Sequence, residues 1–287
     1  MHRSTYHLVA WGGWGDMVMS TALLKEIRQL HPRAKIIIHV PHKNRVQIFE
    51  NNPYIDRISI GMSRHFFSFF LMTKIKSVYH LRYGKYSPSY FPDRTATEIM
   101  AEIVGLKLKE KKVCICLTHQ EDLDAKALLE QYKNPICFQS GSTGMNKIWH
   151  KDRWVALIRV MPDYTFIQLG KQEDEAIEGA VVLLGKTSFR ESMALVKHSL
   201  SFVGVDSVLS HVTNAFDTPG VILFGATTPK VWGHPNNINL YKGVRCSPCN
   251  DVLANSPCPY NQRCMEMISV ADVKAALMTQ LSRTKEY

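Results

Sequence analysis

Short apolar runs alternate with amphipathic stretches through most of this chain, and that alternation predicts its elements. Tyr6–Trp11 reads as a buried strand running into the turn Gly12-Gly13-Trp14-Gly15. A helix is predicted from about Asp16 to Leu30, because Met17, Thr21, Leu24 and Ile27 recur at three- and four-residue spacing. Lys35–Val40 (KIIIHV) is a second strand, closed by Pro41. Further strands are predicted at Arg57–Ile60 and Ser77–Leu81, with a helix between them. Such β-α-β-α order implies parallel strands covered by helices.

The polar segments Lys107–Lys112 and Thr118–Asp124 interrupt the pattern, which restarts after Asn134-Pro135. Strands follow at Ile136–Gln139, Tyr164–Leu169, Val181–Leu183, Ser201–Val205 and Val221–Phe224. Helices are predicted at Lys151–Val160, near Glu173–Glu178, at Ser188–His198 and at Leu209–Phe216, with a terminal helix from about Val270. Two Rossmann-like halves emerge, with a linker between 117 and 134. The expected division is 1–120, 121–268 and a C-terminal helix over 269–287.

A length of 287 residues suits about two domains. With 45% apolar and 21% charged residues the chain is an ordinary globular one. Thirty-five Lys+Arg against 25 Asp+Glu leave a charge of +10, which favours anionic partners: nucleic acid, acidic lipid or phosphorylated small molecules. Nothing near the start reads as an export signal. No stretch reaches the roughly 20 uninterrupted apolar residues of a membrane helix. A cytoplasmic protein is expected.

In open α/β sheets, ligands lie beyond the carboxyl ends of the strands, and four loops there hold unusual residues. In Gly12-Gly13-Trp14-Gly15-Asp16 the glycines let backbone approach a phosphate or sugar. The dinucleotide fingerprint fails, because Val18 stands at its third glycine and no acidic residue follows Lys35–Val40. The plainer alternative for Asp16 is a helix N-terminal carboxylate favoured by the dipole. The second loop runs from Gln139 to Lys147, and its hydroxyls, glycines and lysine suit a diphosphate or a plain surface turn. It is not a P-loop, since Ile148 follows Lys147. The third holds Asp206 and Ser207 at a helix start, where both are also natural caps, with His211 one turn on. The fourth, Phe224 to Pro229, is by itself only a turn.

Taken in order, these loops resemble glycosyltransferase family 9, the heptosyltransferases of lipopolysaccharide and related glycan assembly. The match consists of the G-x-x-G-D turn at Gly12 to Asp16 and the small-residue loop with K-x-W at Ser140 to Trp149. The G-x-D-[ST]-x-x-x-H motif at Gly204 to His211 and the F-G-x-T-x-P loop at Phe224 to Pro229 complete it. Asn51 to Asp56 and Leu184 to Ser188 also fit family phrases, while Val208 and Thr228 replace a common glycine and acid. The resemblance implies an α/β fold of GT-B type, two Rossmann-like domains with parallel sheets facing across a cleft, the first for the acceptor and the second for the donor. It implies inverting transfer of a heptose-like sugar from a nucleotide-diphosphate donor, ADP-heptose foremost, to a lipopolysaccharide-core, other glycan, lipid-linked or protein acceptor, with no catalytic cofactor. Carried over by position, Asp16 is the general base. Gly15, Ser142, Thr143, Lys147, Asp206, Ser207, Val208, Leu209 and His211 line the donor.

Two features stand apart. Cys246, Cys249, Cys258 and Cys264 place four soft ligands within nineteen residues, which suits structural zinc or iron or, alternatively, cysteines packing a loop. The resemblance adds that some relatives use such cysteines for iron. Phe66 to Leu71, near Lys74, Lys76, Arg82 and Lys85, is either a core helix or a peripheral contact with the cytoplasmic face of the inner membrane. Alternative readings of the whole are a basic metal-cluster protein that binds nucleic acid, and a non-catalytic relative that binds sugar nucleotides.

Overall fold

The computed structural model describes residues 4–61, 77–81, 94–249 and 256–283. Contacts divide the chain into two compact units, Met1–Leu117 and Thr118–Tyr287. Among the described residues no helix is long and apolar enough to cross a membrane. The aromatic stretch Phe66 to Leu71 lies outside the described residues.

The first unit is built on a parallel sheet ordered β3-β2-β1-β4, with β1 Thr5–Ala10, β2 Lys35–Val40, β3 Arg57–Ile60 and β4 Val78–Leu81. Leu8, Val9, Ile36, Ile38 and Val40 are buried, the near-continuous apolar run that a covered parallel strand requires. Helix α1 spans Trp14–Ser20 and α2 spans Ala22–Leu30, where the periodicity predicted one helix. The break has a local cause. Ser20 and Thr21 turn their hydroxyls back onto the carbonyls of Met17 and Val18, at 2.7 and 2.6 Å. Such back-bonding competes with the helical ladder and bends it.

The phrase Asn51 to Asp56 has a structural explanation. Asp56 Oδ2 accepts from the Ile36 amide and from Arg28 Nη2, both at 2.7 Å, while Asn52 Nδ2 donates to the Cys114 carbonyl at 3.0 Å. These bonds tie β2, α2 and the end of the unit together. Helix α3, Ala96–Ile103, escaped the periodicity argument; Thr95 and Glu98 form its reciprocal cap.

The second unit carries a six-stranded parallel sheet ordered β10-β9-β8-β5-β6-β7. Its chain runs α4 His119–Leu129, β5 Pro135–Gln139, α5 Lys151–Arg159, β6 Thr165–Gln168, β7 Val181–Val182, α6 Phe189–His198 and β8 Ser201–Val205. It continues with α7 Val208–Phe216, β9 Gly220–Phe224, α8 Pro229–Trp232, β10 Asn237–Tyr241, α9 Arg263–Glu266 and α10 Val270–Arg283. Trp149, Trp154, Phe138 and Phe166 fill one core with Val273 and Leu277 of α10.

Two sequence expectations change here. The segment read as a linker holds α4, begun by the capping box of Thr118 and Glu121. The helix expected near Glu173–Glu178 is a turn. Gln168 takes the roles a helix would have filled, accepting from the Ile177 amide at 2.9 Å and donating to the Glu175 carbonyl at 2.8 Å.

Helix α4 is fastened to α6 by charge. Arg190 donates through Nε to Glu121 Oε1 and through Nη2 to Oε2 at 2.7 Å, with only 8% and 21% of the two side chains exposed. The Arg190 guanidinium holds the Glu121 carboxyl down to about 2 from 4.5, the Thr118 amide and hydroxyl assisting and burial opposing. The folded value lies below the unfolded one, so this stabilisation is complete above about pH 4.5 and is lost as pH falls toward 2. Denaturant unfolding across that window should show a loss of at most about 3 kcal/mol from this group, and Glu121→Gln should remove that part of the pH dependence.

Candidate active site

Ligands of doubly wound sheets gather where the strand order reverses. In the first unit that point is the carboxyl end of β1, between β2 and β4. Gly12 follows there with φ +94°, and a Cβ on it would lie 2.3 Å from Asp16 Oδ2, so only glycine fits. The Asp16 carboxylate folds back to accept from the Gly13 amide at 2.7 Å. Asp16 therefore caps α1 while remaining partly exposed, and Gly15 sits beside it in the first turn. The cap reading and the chemical reading of this residue are compatible.

Sequence inspection passed over Arg45. Its guanidinium stacks 4.2 Å from the centre of the Trp14 ring, and its Nε and Nη1 are buried without a hydrogen-bond partner among the described residues. Burial lowers its pKa, while the Asp16 carboxylate pulls the other way. Arg45 thus places a fixed positive field beside Asp16. Nothing in the run KNRVQ distinguishes this arginine from its surface neighbours.

In the second unit the order reverses between β5 and β8. The loops after these adjacent strands bring Lys147 and Asp206 together: Nζ lies 2.8 Å from Oδ2, with 18% and 4% of the side chains exposed. Trp149 explains why Lys147 stays in place. It is buried, donates its indole N–H to the Ile268 carbonyl at 3.0 Å, and meets Trp154 edge-on at 4.9 Å. Burying such a ring is worth several times thermal energy, so the short turn Met145–Lys147 is pinned two residues away.

Thr227 Oγ1 donates to the same Asp206 oxygen at 2.6 Å, and His211 Nε2 stands 3.9 Å from the other. Burial alone would raise the Asp206 pKa; Lys147, His211 and Thr227 outweigh it and hold the carboxyl below its usual range. Burial pushes His211 down to about 4 against the pull of Asp206. Its Nδ1 pairs with His234 Nε2 at 2.9 Å, and burial takes His234 down to about 3. Both imidazoles are accordingly neutral near pH 7.

The remaining predicted donor residues divide. Ser142 is half-buried, with its Oγ accepting from the Gly144 amide at 3.3 Å, and Thr143 is exposed. Ser207 occupies the N-cap of α7 but makes no side-chain cap bond, and Val208 beside it is half-buried. The Leu209 amide donates to Gln139 Oε1 at 3.4 Å, so the end of β5 already engages it. Thr227 and His234 were not singled out from sequence. Thr227 sits in a recognised loop, while His234 has no local signal.

Two of the four cysteines, Cys249 and Cys264, lie against the Gly225–Ala226 backbone. Burial raises the Cys264 thiol to about 11 and raises Cys249, and in both cases nearby thiols add to the shift. The Cys246 and Cys258 sulfurs are among those contributors. Among the described residues, however, no three His, Cys, Asp or Glu side chains converge as a metal-ligand set. The donor chemistry suits a soft metal; the side-chain geometry is not gathered around one.

With this geometry in hand, comparison with known proteins is informative. The description glycosyltransferase family 9 (heptosyltransferase) matches residues 94–256, more than half of the chain. Lipopolysaccharide heptosyltransferase 3 of Escherichia coli K12 is 29% identical over 127 residues, 39% of this chain; the match spans only 36% of that relative's length. A family 9 glycosyltransferase from Veillonella parvula DSM 2008 superposes with TM-score 0.75 at 18% identity, covering 98% of this chain and 97% of that one. E. coli ADP-heptose lps heptosyltransferase II gives 0.72 at 14% identity, covering 98% and 99%. The iron-containing dodecameric glycosyltransferase TibC from enterotoxigenic E. coli H10407 gives 0.72 at 16% identity, covering 98% and 77%. These structural likenesses establish the fold, an α/β architecture of GT-B type with two parallel sheets. Together with the family match over its central segment, they place the chain in glycosyltransferase family 9.

Proposed function

We propose that the protein is an inverting glycosyltransferase that moves a heptose-like sugar from a nucleotide-diphosphate donor, ADP-heptose foremost, to a hydroxyl of a glycan, lipid-linked or protein acceptor. The observation that carries this reading is the Lys147–Asp206–Thr227 cluster at the reversal between β5 and β8. An ammonium held there by Asp206, whose carboxylate Thr227 holds in turn, is aimed before the ligand arrives, and preorganised charge of this kind stabilises a leaving diphosphate. The ADP-heptose named for the E. coli relative supports the choice of donor.

In this mechanism Asp16 removes the proton from the acceptor hydroxyl as that oxygen attacks the anomeric carbon. The bond from that carbon to the diphosphate oxygen breaks, and Lys147 offsets the charge that appears on the departing group. Ser142, Thr143 and the α7 start at Ser207 and Val208 supply polar contacts to donor phosphates and sugar. Asp206 orients Lys147 rather than meeting the sugar itself, because it is 3% exposed and already engaged twice. Arg45 places positive charge beside Asp16 and draws an anionic acceptor toward it. The +10 charge acts in the same direction over longer range.

The cysteine quartet belongs to this reading as a structural zinc or iron site without a step in transfer. Four soft donors within nineteen residues support that assignment. Mass spectrometry of protein purified without chelator should find stoichiometric zinc or iron; a metal-free preparation removes the site.

Asp16→Ala should bind ADP as tightly as the parent and turn over at least about a hundredfold more slowly. Parent-like turnover would remove Asp16 from the base role. Lys147→Ala should weaken ADP binding measured by calorimetry, with Asp206 left buried and unpaired at a stability cost of about 3–5 kcal/mol. Thermal shift with a panel of nucleotide sugars, followed by product mass, tests the whole assignment, and a panel without any hit rejects it.

A further inference from the structure

The Cys-rich segment grips both loops of the proposed donor site. On one side the Ser247 hydroxyl donates to the Gly225 carbonyl, and the Cys249 amide donates to the Ala226 carbonyl at 2.9 Å. A Cβ on Gly225 would lie 2.9 Å from Cys264 Sγ and 2.4 Å from Met265 Sδ, so the sulfurs pack directly on that backbone. The next residue is Thr227, which holds Asp206. On the other side Asn146 Nδ2 donates to the Ser256 carbonyl at 2.9 Å, and Gln262 Nε2 donates to the Met145 carbonyl at 3.1 Å. The next residue there is Lys147.

We propose that residues 246–249 and 256–264 act as a positioning clamp, so that the freedom of their cysteine thiols and diphosphate binding at the Lys147 cluster are linked, with Ser247 and Asn146 as the coupling residues. The inference rests on the reading of that cluster as the donor-phosphate site. Its physical basis is preorganisation. Loops fastened from outside have less freedom to lose when an anion is bound, and binding is tighter for it. Linkage is reciprocal: an anion that fixes the two loops must also fix the segment that holds them. Every connection is a direct bond to the residue preceding Lys147, to the backbone just before it, or to the two residues preceding Thr227.

The test uses the full chain after chelator treatment, so that its thiols are free of metal, with ADP as ligand and per-cysteine alkylation rates with iodoacetamide read by mass spectrometry. In the parent, saturating ADP should slow alkylation of Cys249 and Cys258 at least about fivefold. Ser247→Ala and Asn146→Ala should retain the parent's circular dichroism, bind ADP about three- to tenfold more weakly, and lose most of that protection. Ser247→Thr, which keeps the hydroxyl, should restore both. Should Asn146→Ala fail to fold, the Ser247 pair decides. ADP binding with unchanged thiol rates overturns the clamp while leaving the donor reading intact. Undiminished protection in the alanine variants also overturns it, because ADP would then be covering the thiols directly. Absence of ADP binding to the parent overturns both readings.

Discussion

A lysine ammonium and an aspartate carboxylate 2.8 Å apart, almost out of solvent, impose the strictest requirement on the second unit. A charge pair withdrawn from water is costly unless its geometry is good and its remaining lone pairs are occupied. Much of the surrounding architecture meets that condition. Strands β5 and β8 pair side by side in parallel register, which sets the two loops next to each other. Trp149 anchors one loop in the core, and Thr227 occupies the Asp206 oxygen that Lys147 shares. His211 and His234 fill the far side as neutral rings, adding bulk without a competing cation. The same pair that constrains folding is therefore the feature best suited to receive an anion.

The first unit solves a smaller version of that problem. Asp16 is held by the backbone it caps, and Gly12 is required because any side chain there would strike the carboxylate. Arg45 lies over Trp14 with its Nε and Nη1 buried, and the aromatic face offsets part of that cost. A carboxylate that caps α1 and is still partly exposed can be reached from solvent. That is the state a proton acceptor needs, whereas the doubly engaged and buried Asp206 is suited to orienting a neighbour.

How far the sequence discloses these arrangements depends on whether the decisive signal is local. Loops after β1, β5, β8 and β9 were legible because glycines, hydroxyls and isolated charges interrupt apolar runs at strand ends. The broken helix at Thr21 was hidden, since its cause is two hydroxyls turning back on carbonyls within an unbroken apolar periodicity. Helix α4 was hidden for the opposite reason: it buries only Ala125 and Leu129 and is held by ion pairs to α6, so its pattern reads as polar linker. The turn near Glu173 deceived because its charges look helical, while buried Gln168 dictates the backbone from another strand. His234 and Arg45 acquire meaning only from partners 23 residues away in one case and 31 in the other.

The pairing of Lys147 raises a question that bears on mechanism: whether an ammonium already engaged by Asp206 has anything left for a ligand. An ammonium has three donor directions, and Asp206 Oδ2 takes one of them. In the proposed donor site, a diphosphate reaching Nζ meets the remaining donors of an ammonium that Asp206 already orients. The carboxylate behind tempers the attraction, which suits a donor that must be released as well as held. Neutralising Asp206 would strengthen the pull on phosphate in principle, yet it would also free the lysine to swing into solvent. Orientation then outweighs raw charge, because a positive group aimed at the departing oxygen acts on the transition state, whereas an unaimed one acts on bound and departing forms alike.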